Sequence, residues 1–133
     1  ALSNDDGNNG QGAQERWNAL NIQSYTFEYE VTGWTPSAGD IWEIQVHNDE
    51  VIHVSYLGSN IAGSEITVPI YELDLASAPT MTSLFNRIEA CRINTSCEVS
   101  EEQYDSEQHY PNQYRETFST EWVGFNVSGF VAQ

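Results

Sequence analysis

The feature that most constrains the fold is a strictly alternating stretch, SYTFEYEVT, at residues 24–32. Every second position carries an aromatic or aliphatic side chain, at Tyr25, Phe27, Tyr29 and Val31, and threonine or glutamate stands between them. Side chains of a β-strand point alternately to its two faces, so the pattern predicts a strand with one buried face and one face in water. Strands of this kind are typical of antiparallel sheets.

The rest of the chain supplies neighbouring strands. The segment IWEIQVHNDEVIHVSYL predicts a hairpin around a turn at residues 48–50. In this hairpin, two sets of side chains are expected to face the same way, namely Trp42, Ile44 and Val46 with Ile52, Val54 and Tyr56. One further strand can form at residues 65–72, and three more are predicted at residues 98–104, 113–119 and 124–131.

Two segments have the spacing of amphipathic helices. In residues 13–22 the apolar side chains are Ala13, Trp17 and Leu20. In PTMTSLFNRIEACR, Thr80 or Thr82 can cap the helix. Its apolar stripe then consists of Met81, Leu84, Phe85 and Ile88.

The predicted order of elements is α-βββ-α-βββ. Strands joined by short turns, with few helices, indicate an antiparallel sheet, and the helices cover one of its faces. We therefore expect an α+β fold, with an antiparallel sheet of about six strands and two helices on one face, as a single domain over residues 13–133. Residues 1–12, ALSNDDGNNGQG, lack apolar periodicity and are expected to form a flexible leader.

The charge of the chain excludes several kinds of partner. Four arginines and no lysine stand against twenty carboxylates, which gives a formal net charge of −16. Such a chain repels phosphate backbones and anionic lipids, so neither nucleic acid nor a membrane surface is expected as a partner. No apolar run of about 18 residues or more occurs, so no membrane span is predicted.

The two cysteines, Cys91 and Cys97, are separated by RINTS. This is not a CxxC spacing, and no second Cys/His pair lies near it, so a zinc site is not expected. A short-range disulfide between the end of the second helix and the next strand fits the spacing better, and it implies an oxidising compartment. The alternative is two separate buried thiols.

Several marks in a fixed order resemble a known family. A tryptophan-bearing helix leads into SYTFEYEV, and then come the hairpin IQVHNDEVIHV, the threonine-led helix TMTSLFNRIEA, the segment YDSEQHYP and the last strand FNVSGF. Over residues 14–131 this order resembles an uncharacterised bacterial domain-of-unknown-function family of secreted proteins and lipoproteins. The resemblance implies an extracytoplasmic location (periplasmic, cell-surface or secreted) and no known activity. The family has a glycine where this chain has His109.

A lipoprotein of that kind is anchored through an N-terminal cysteine, which is not among residues 1–12. If the native protein is lipidated, we therefore expect the lipid anchor to have been lost from the N-terminus.

The stretch EEQYDSEQHYPNQY, at residues 101–114, is the strongest candidate for a site. Asp105 can accept backbone amides in an Asx-turn, and Pro111 fixes φ, so we predict a strand, an exposed loop at residues 105–111 and another strand. Tyr104, Asp105, His109 and Tyr110 can line one rim of a pocket, because tyrosine combines apolar area with a polar tip. The alternative is a purely structural loop whose tyrosines pack against the sheet.

Trp34, in the segment GWTP, is a further candidate. If it is exposed it can stack on a ligand, and if it is buried it covers the end of the sheet. His47 and His53 flank the hairpin turn and are expected on the outer face of the sheet, where a transition metal is the less favoured interpretation.

The carboxylate pairs do not indicate glycoside cleavage. Glu28 and Glu30 share one face of their strand, and Glu101 and Glu102 point to opposite faces, so neither pair spans a cleft. A serine elbow, a P-loop and a Rossmann fingerprint are also missing. The sequence therefore predicts no catalytic residue, no metal and no cofactor.

The predicted function is a non-catalytic domain of a bacterial envelope or secreted protein that binds an unknown protein, peptide or small ligand. Two alternatives stay open. One is a small extracytoplasmic enzyme whose site converges only in the fold, and the other is an accessory structural domain.

Overall fold

A computed structural model describes residues 10–60, 68–69 and 71–133 of the chain. Its elements, in chain order, are α1 (Gly10–Ala19), β1 (Ser24–Gly33), β2 (Asp40–His47), β3 (Glu50–Ser59), α2 (Met81–Ile93), β4 (Glu98–Tyr104), β5 (Pro111–Phe118) and β6 (Glu121–Ala132). The six strands form one sheet in the order β3-β2-β1-β6-β5-β4, and every neighbouring pair is antiparallel. The predicted α+β fold is confirmed.

The two halves of the chain meet at the centre of the sheet. Strands β1–β3 come from the first half of the chain and β4–β6 from the second, and among the described strands the two halves are joined by the pair β1 and β6. Their pairing runs from Tyr25 opposite Ala132 to Gly33 opposite Val123. The pairing of the first strand with the last therefore joins two three-stranded antiparallel units, β1–β3 and β4–β6, into one sheet.

Both helices cover the same face of the sheet. The Trp17 ring of α1 lies 5.4 Å from the Tyr25 ring of β1, and the Met81 N–H of α2 donates to the Tyr25 hydroxyl at 2.8 Å. The alternating side chains predicted to be buried at Tyr25, Phe27 and Tyr29 are each less than a tenth exposed. Burying a large apolar side chain contributes about 1.5–3 kcal/mol, so each of these three positions stabilises the domain substantially.

The second helix follows its sequence pattern closely. Thr80 is its N-cap: the Thr80 hydroxyl accepts from the Ser83 N–H at 3.1 Å, and the Ser83 hydroxyl accepts from the Thr80 N–H at 2.8 Å. Thr82 lies inside the first turn and is not the cap. The predicted apolar stripe is buried, with Cys91 added to it.

The first helix differs from its prediction at both ends. It spans Gly10–Ala19, so it starts and ends three residues earlier than predicted. Ala13 and Trp17 are buried, but Leu20 is 42 % exposed. The reason is that the helix has ended before Leu20, and Asn21 takes a left-handed conformation with φ of 54°. Leu20 therefore leaves the apolar stripe.

The β2–β3 hairpin contains an irregularity that the sequence did not reveal. Its turn consists of Asn48 and Asp49, both at positive φ (52° and 63°), which is the type I′ geometry that matches the twist of a hairpin. A bulge follows, so that Val51, rather than Ile52, lies opposite Val46. The prediction that Ile52 faces the same way as Val46 is wrong, since Val46 is buried and Ile52 is 48 % exposed.

Neither helix covers the other face of the sheet. Glu28 and Glu30 both lie there, as predicted, and Glu43 is paired directly with Glu28 across β1 and β2. Glu102 points to the helical face instead, where it accepts from Arg92 at 2.8 Å.

Two predicted segments lie wholly or partly outside the described residues. Of the predicted leader, residues 1–9 are not described. Of the strand predicted at residues 65–72, residues 65–67 and 70 are not described. Positions 68, 69, 71 and 72 belong to no strand. Among the described residues, no helix is long and apolar enough to cross a membrane.

Candidate functional site

The β4–β5 loop carries three of the five residues predicted to form a site, and a fourth, Tyr104, is the last residue of β4. The Asp105 carboxylate accepts from the N–H groups of Glu107 (3.1 Å) and Gln108 (2.8 Å), which is the Asx-turn expected from the sequence. The Asp105 N–H donates to the Tyr110 carbonyl at 2.9 Å and closes the loop. His109 has φ of 69°, the left-handed region that favours glycine.

The tyrosines of this loop face the core. Tyr110 is 7 % exposed and stacks on Phe130 with ring centroids 4.6 Å apart. Tyr104 lies parallel to Phe85 at 6.0 Å. Burial, together with the charge of the Asp105 carboxylate, raises the pKa of Tyr110 to about 12. The predicted exposed loop at residues 105–111 is therefore shorter, because Tyr110 is buried and β5 already begins at the buried Pro111.

Trp34 is not part of this group. Its indole side chain is 64 % exposed, and its backbone N–H donates to the Trp122 carbonyl at 2.8 Å, near the start of β6. Tyr110 packs on Phe130 near the other end of the same strand. The structure thus places Asp105, His109 and Tyr110 in one loop, with Tyr104 at the end of the strand before it, and Trp34 lies apart from them. Whether any of the five contacts a ligand stays a prediction.

A cavity that the sequence did not reveal lies where α1 ends, α2 begins and β2 turns into β3. Its volume is about 390 Å³, and none of the five predicted residues lines it. It is lined by Trp17, Asn18, Asn21, Ile22, Gln23, Tyr25, Asn48, Asp49 and Thr82. The lining therefore comes from three segments that are far apart in the chain.

Local backbone geometry shapes the mouth of this cavity. Asn21, Asn48 and Asp49 are three of the five non-glycine residues with positive φ among the described residues. Asparagine and aspartate tolerate this conformation better than other residues, because their short polar side chains can hydrogen-bond locally. The only sequence signal for the site was therefore this pair of Asn-rich turns, at the end of α1 and in the hairpin.

The wall of the cavity is aromatic. The rings of Trp17 and Tyr25 meet edge to face, at 88°, and the Tyr25 hydroxyl is held by the Met81 N–H at 2.8 Å. Burial raises the pKa of Tyr25 to about 12; the Met81 hydrogen bond opposes this shift, and the charge of Asp49 adds to it. Tyr25 is therefore a neutral, fixed acceptor at physiological pH.

The rim of the cavity is polar and carries a carboxylate. Four amide side chains contribute donors and acceptors, and the Gln23 amide donates to the Asn21 side-chain oxygen at 3.2 Å. Asp49 is the one carboxylate among the nine lining residues, which include no lysine, arginine, histidine, serine or cysteine. This lining can form hydrogen bonds with a ligand, and it can stabilise a positive charge.

The cysteines and histidines are placed as follows. The predicted disulfide is confirmed, since the sulfur atoms of Cys91 and Cys97 are 2.04 Å apart and the Cα atoms 5.2 Å apart. His47 lies 2.5 Å from the Ser24 hydroxyl, and His53 is opposite Gln45. Within the described part of the chain, one group brings three metal-ligating side chains together, and it consists of the two disulfide-bonded cysteines and Glu116.

Two substitutions in the β4–β5 loop test its geometry. Asp105→Ala is expected to lower the free energy of unfolding by about 0.5–2 kcal/mol, because it removes the acceptor of two backbone N–H groups.

His109→Gly is expected to leave stability unchanged or to raise it slightly, because glycine adopts positive φ without strain. Urea unfolding measures both, with the exposed Glu107→Ala as control. A loss above about 1 kcal/mol in His109→Gly would mean that the imidazole itself stabilises the loop.

Comparison with known proteins gives one match. The family model of DUF6174, described as a family of unknown function, matches residues 9–131. No curated protein and no solved structure shows a significant similarity to the chain. The match runs from the start of α1 to the end of β6 and confirms the resemblance inferred from the order of motifs. The chain belongs to DUF6174, a family of unknown function.

Proposed function

We propose that the chain is a non-catalytic binding domain of a bacterial envelope or secreted protein, and that it takes a small ligand in the cavity between α1, α2 and the β2–β3 turn. The observation that carries the proposal is the cavity itself. Its volume of about 390 Å³ lies within the range of small-molecule sites, about 300–1,000 Å³. Such sites combine an apolar wall with a few polar groups that fix the orientation of the ligand.

The lining determines which ligands fit. Asp49 is uncompensated by any basic side chain among the lining residues, so the cavity favours neutral or cationic molecules over anions. Amides both donate and accept hydrogen bonds, which suits hydroxyl or amide groups. Trp17, Ile22 and Tyr25 add apolar surface for the carbon skeleton. Neutral saccharides, short peptides and amines combine these features.

The same lining supports binding rather than catalysis. Covalent catalysis needs a nucleophile next to a base that activates it. The one hydroxyl nucleophile at the cavity is Thr82, and no histidine or lysine accompanies it among the lining residues. The phenol of Tyr25 is neutral and already accepts a backbone hydrogen bond. It is therefore suited to a fixed position in the wall of the cavity and not to nucleophilic attack.

The proposed extracytoplasmic location is supported by the disulfide. Disulfides persist in oxidising compartments and are rare in the cytoplasm. The Cys91–Cys97 bond closes the end of α2 onto the start of β4. Alkylation of envelope-derived protein without reductant, followed by intact-mass measurement, tests this location, and two alkylated thiols would contradict it.

Titration of the labelled protein with a panel of neutral saccharides, short peptides and amines tests the binding proposal by NMR. A ligand of the cavity is expected to shift the indole N–H signal of Trp17. Asn18→Trp places a large side chain at the rim and should weaken binding about tenfold or more, equivalent to about 1.4 kcal/mol. Asn86→Trp, at an exposed position of α2 that does not line the cavity, is the matched control.

The proposal is contradicted if ligands from the panel bind but shift only signals of the β4–β5 loop. In that case the tyrosine-bearing loop would be the binding surface. Equal affinities of Asn18→Trp and Asn86→Trp would contradict it as well.

A further inference from the structure

The disulfide lies against a buried carboxylate, and none of these residues lines the cavity described above. The sulfur atoms of Cys91 and Cys97 and one carboxylate oxygen of Glu116 all lie within 4.8 Å of one another. Cys91 is 4 % exposed and Glu116 is 9 % exposed. A second cavity, of about 180 Å³, is lined by these three residues and by Arg87, among others.

We propose that these three side chains form a zinc site when a dithiol reductant opens the disulfide. The reductant gives two electrons and two protons to the Cys91–Cys97 bond and becomes a disulfide itself. Both cysteines are then thiols, and binding of Zn²⁺ releases their two protons to solvent. Two thiolates and the Glu116 carboxylate supply three ligands, and water from the adjoining cavity supplies the fourth.

The distances fit a tetrahedral site. Zn–S bonds of about 2.3 Å place two sulfur ligands about 3.8 Å apart, and Zn–O bonds are slightly shorter. Once reduced, the two sulfurs are free to separate to this distance. Zn–S and Zn–O bonds place a sulfur and a carboxylate oxygen about 3.5 Å apart, so from within 4.8 Å the carboxylate has to approach a stationary sulfur by about 1.3 Å or less.

The neighbours of Glu116 already orient it for a metal. The Tyr114 hydroxyl donates to Oε1 at 2.7 Å, and Arg87 Nε lies 3.4 Å from the same oxygen. Both contacts end on Oε1 and hold the carboxylate in place beside the two sulfur atoms. Hydrogen bonds to a ligating carboxylate fix its orientation and contribute to metal affinity.

The charges balance in both redox states. With the disulfide formed, the carboxylate of Glu116 is neutralised by Arg87. In the reduced state, two thiolates and the carboxylate carry three negative charges, and Zn²⁺ with Arg87 carries three positive ones. Buried charges are costly unless they are compensated, so zinc allows the thiolates to form at this buried position.

Zinc titration of the full chain tests the proposal in both redox states. The disulfide is opened with a phosphine, since a thiol reductant would itself bind zinc, and affinity is measured by competition with a chromogenic chelator. One tightly bound zinc per reduced chain and none per oxidised chain is the expected result. Cobalt(II), added in place of zinc, should give a thiolate-to-metal charge-transfer band and tetrahedral ligand-field bands.

Substitutions separate this site from adventitious binding to thiols. Glu116→Gln should weaken zinc binding by the reduced chain about tenfold or more, whereas Glu121→Gln, at an exposed position of the neighbouring strand, should not change it. Because Glu116→Gln also removes the carboxylate charge that pairs with Arg87, its fold is checked by circular dichroism. Cys97→Ser is the second variant, and it should abolish the cobalt charge-transfer band of a two-thiolate site.

Two results would overturn the proposal. One is a reduced chain that binds no more zinc than the oxidised chain. The other is equal zinc affinity of folded Glu116→Gln and Glu121→Gln.

Discussion

Alkaline pH is expected to unfold the protein in a single cooperative step between pH 10 and about pH 12. The reason is a set of tyrosines whose phenols are held neutral by the fold. Burial is the main cause that raises the pKa of Tyr25 and of Tyr110 from 10.0 to about 12. Burial also raises the pKa of Tyr29, Tyr104 and Tyr114.

The direction of the effect follows from linkage between proton binding and folding. In this pH range the folded state holds phenol protons that the unfolded state has already released, so stability falls as the pH rises. The contributions of Tyr25 and Tyr110 are complete below pH 10 and are lost as the pH passes about 12. A shift of two units at Tyr25 corresponds to about 3 kcal/mol, a large part of the total stability of a small domain, about 5–15 kcal/mol, and the other buried tyrosines add losses in the same direction.

Phenolate absorbance and far-ultraviolet circular dichroism, recorded on the same samples, measure this transition. Ionisation of the buried tyrosines and loss of the sheet signal should coincide. Tyr71→Phe, which changes a side chain that is 61 % exposed, is expected to leave the midpoint unchanged. Tyr110→Phe should make the pH dependence of stability shallower. Full ionisation with an intact sheet signal would show that the phenols are accessible in the native state.

Gly124→Ala is expected to lower the free energy of unfolding by about 3 kcal/mol. A Cβ atom at this position of β6 would lie 2.0 Å from the Tyr114 carbonyl oxygen and 3.0 Å from the Arg115 Cα. Both are backbone atoms of the paired strand β5, so neither can move aside without opening the β5–β6 ladder. A glycine within a strand often marks such a close approach of two backbones.

Urea unfolding tests the Gly124 prediction. Ser128→Ala is the matched control, because it lies on the same strand at an exposed position and should stay within about 0.5 kcal/mol of the wild type. A loss below about 1 kcal/mol in Gly124→Ala would mean that the two strands separate easily at this point.

The parts of the fold that depend on local chemistry could be predicted from the sequence. The alternation around Phe27 indicates β1 because burial on one face is encoded residue by residue. The Thr80 cap, the stripe of α2 and the Asx-turn of Asp105 likewise arise within a few residues. The position of Ile52 could not be predicted in the same way, because it depends on a bulge that is set by pairing across the hairpin.

The candidate sites depend on contacts between distant segments. The cavity needs Trp17, Asp49 and Thr82 to meet, and no local pattern links them. The same holds for Glu116 of β5, which lies beside a disulfide between α2 and the residue before β4. Tyr104 and Tyr110 illustrate the converse problem, since tyrosines that pack in a core and tyrosines that bind a ligand look alike in a sequence.

The pairing of β1 with β6 has a consequence for the order of events during folding. Its contacts join residues at opposite ends of the domain, and contacts of such long sequence separation slow folding, because a large loop must close first. Until β6 arrives, β1 presents an unpaired edge with aromatic side chains, which invites association with other chains. The net charge of −16 opposes that association. Molecules in which β6 has not yet paired with β1 therefore repel one another.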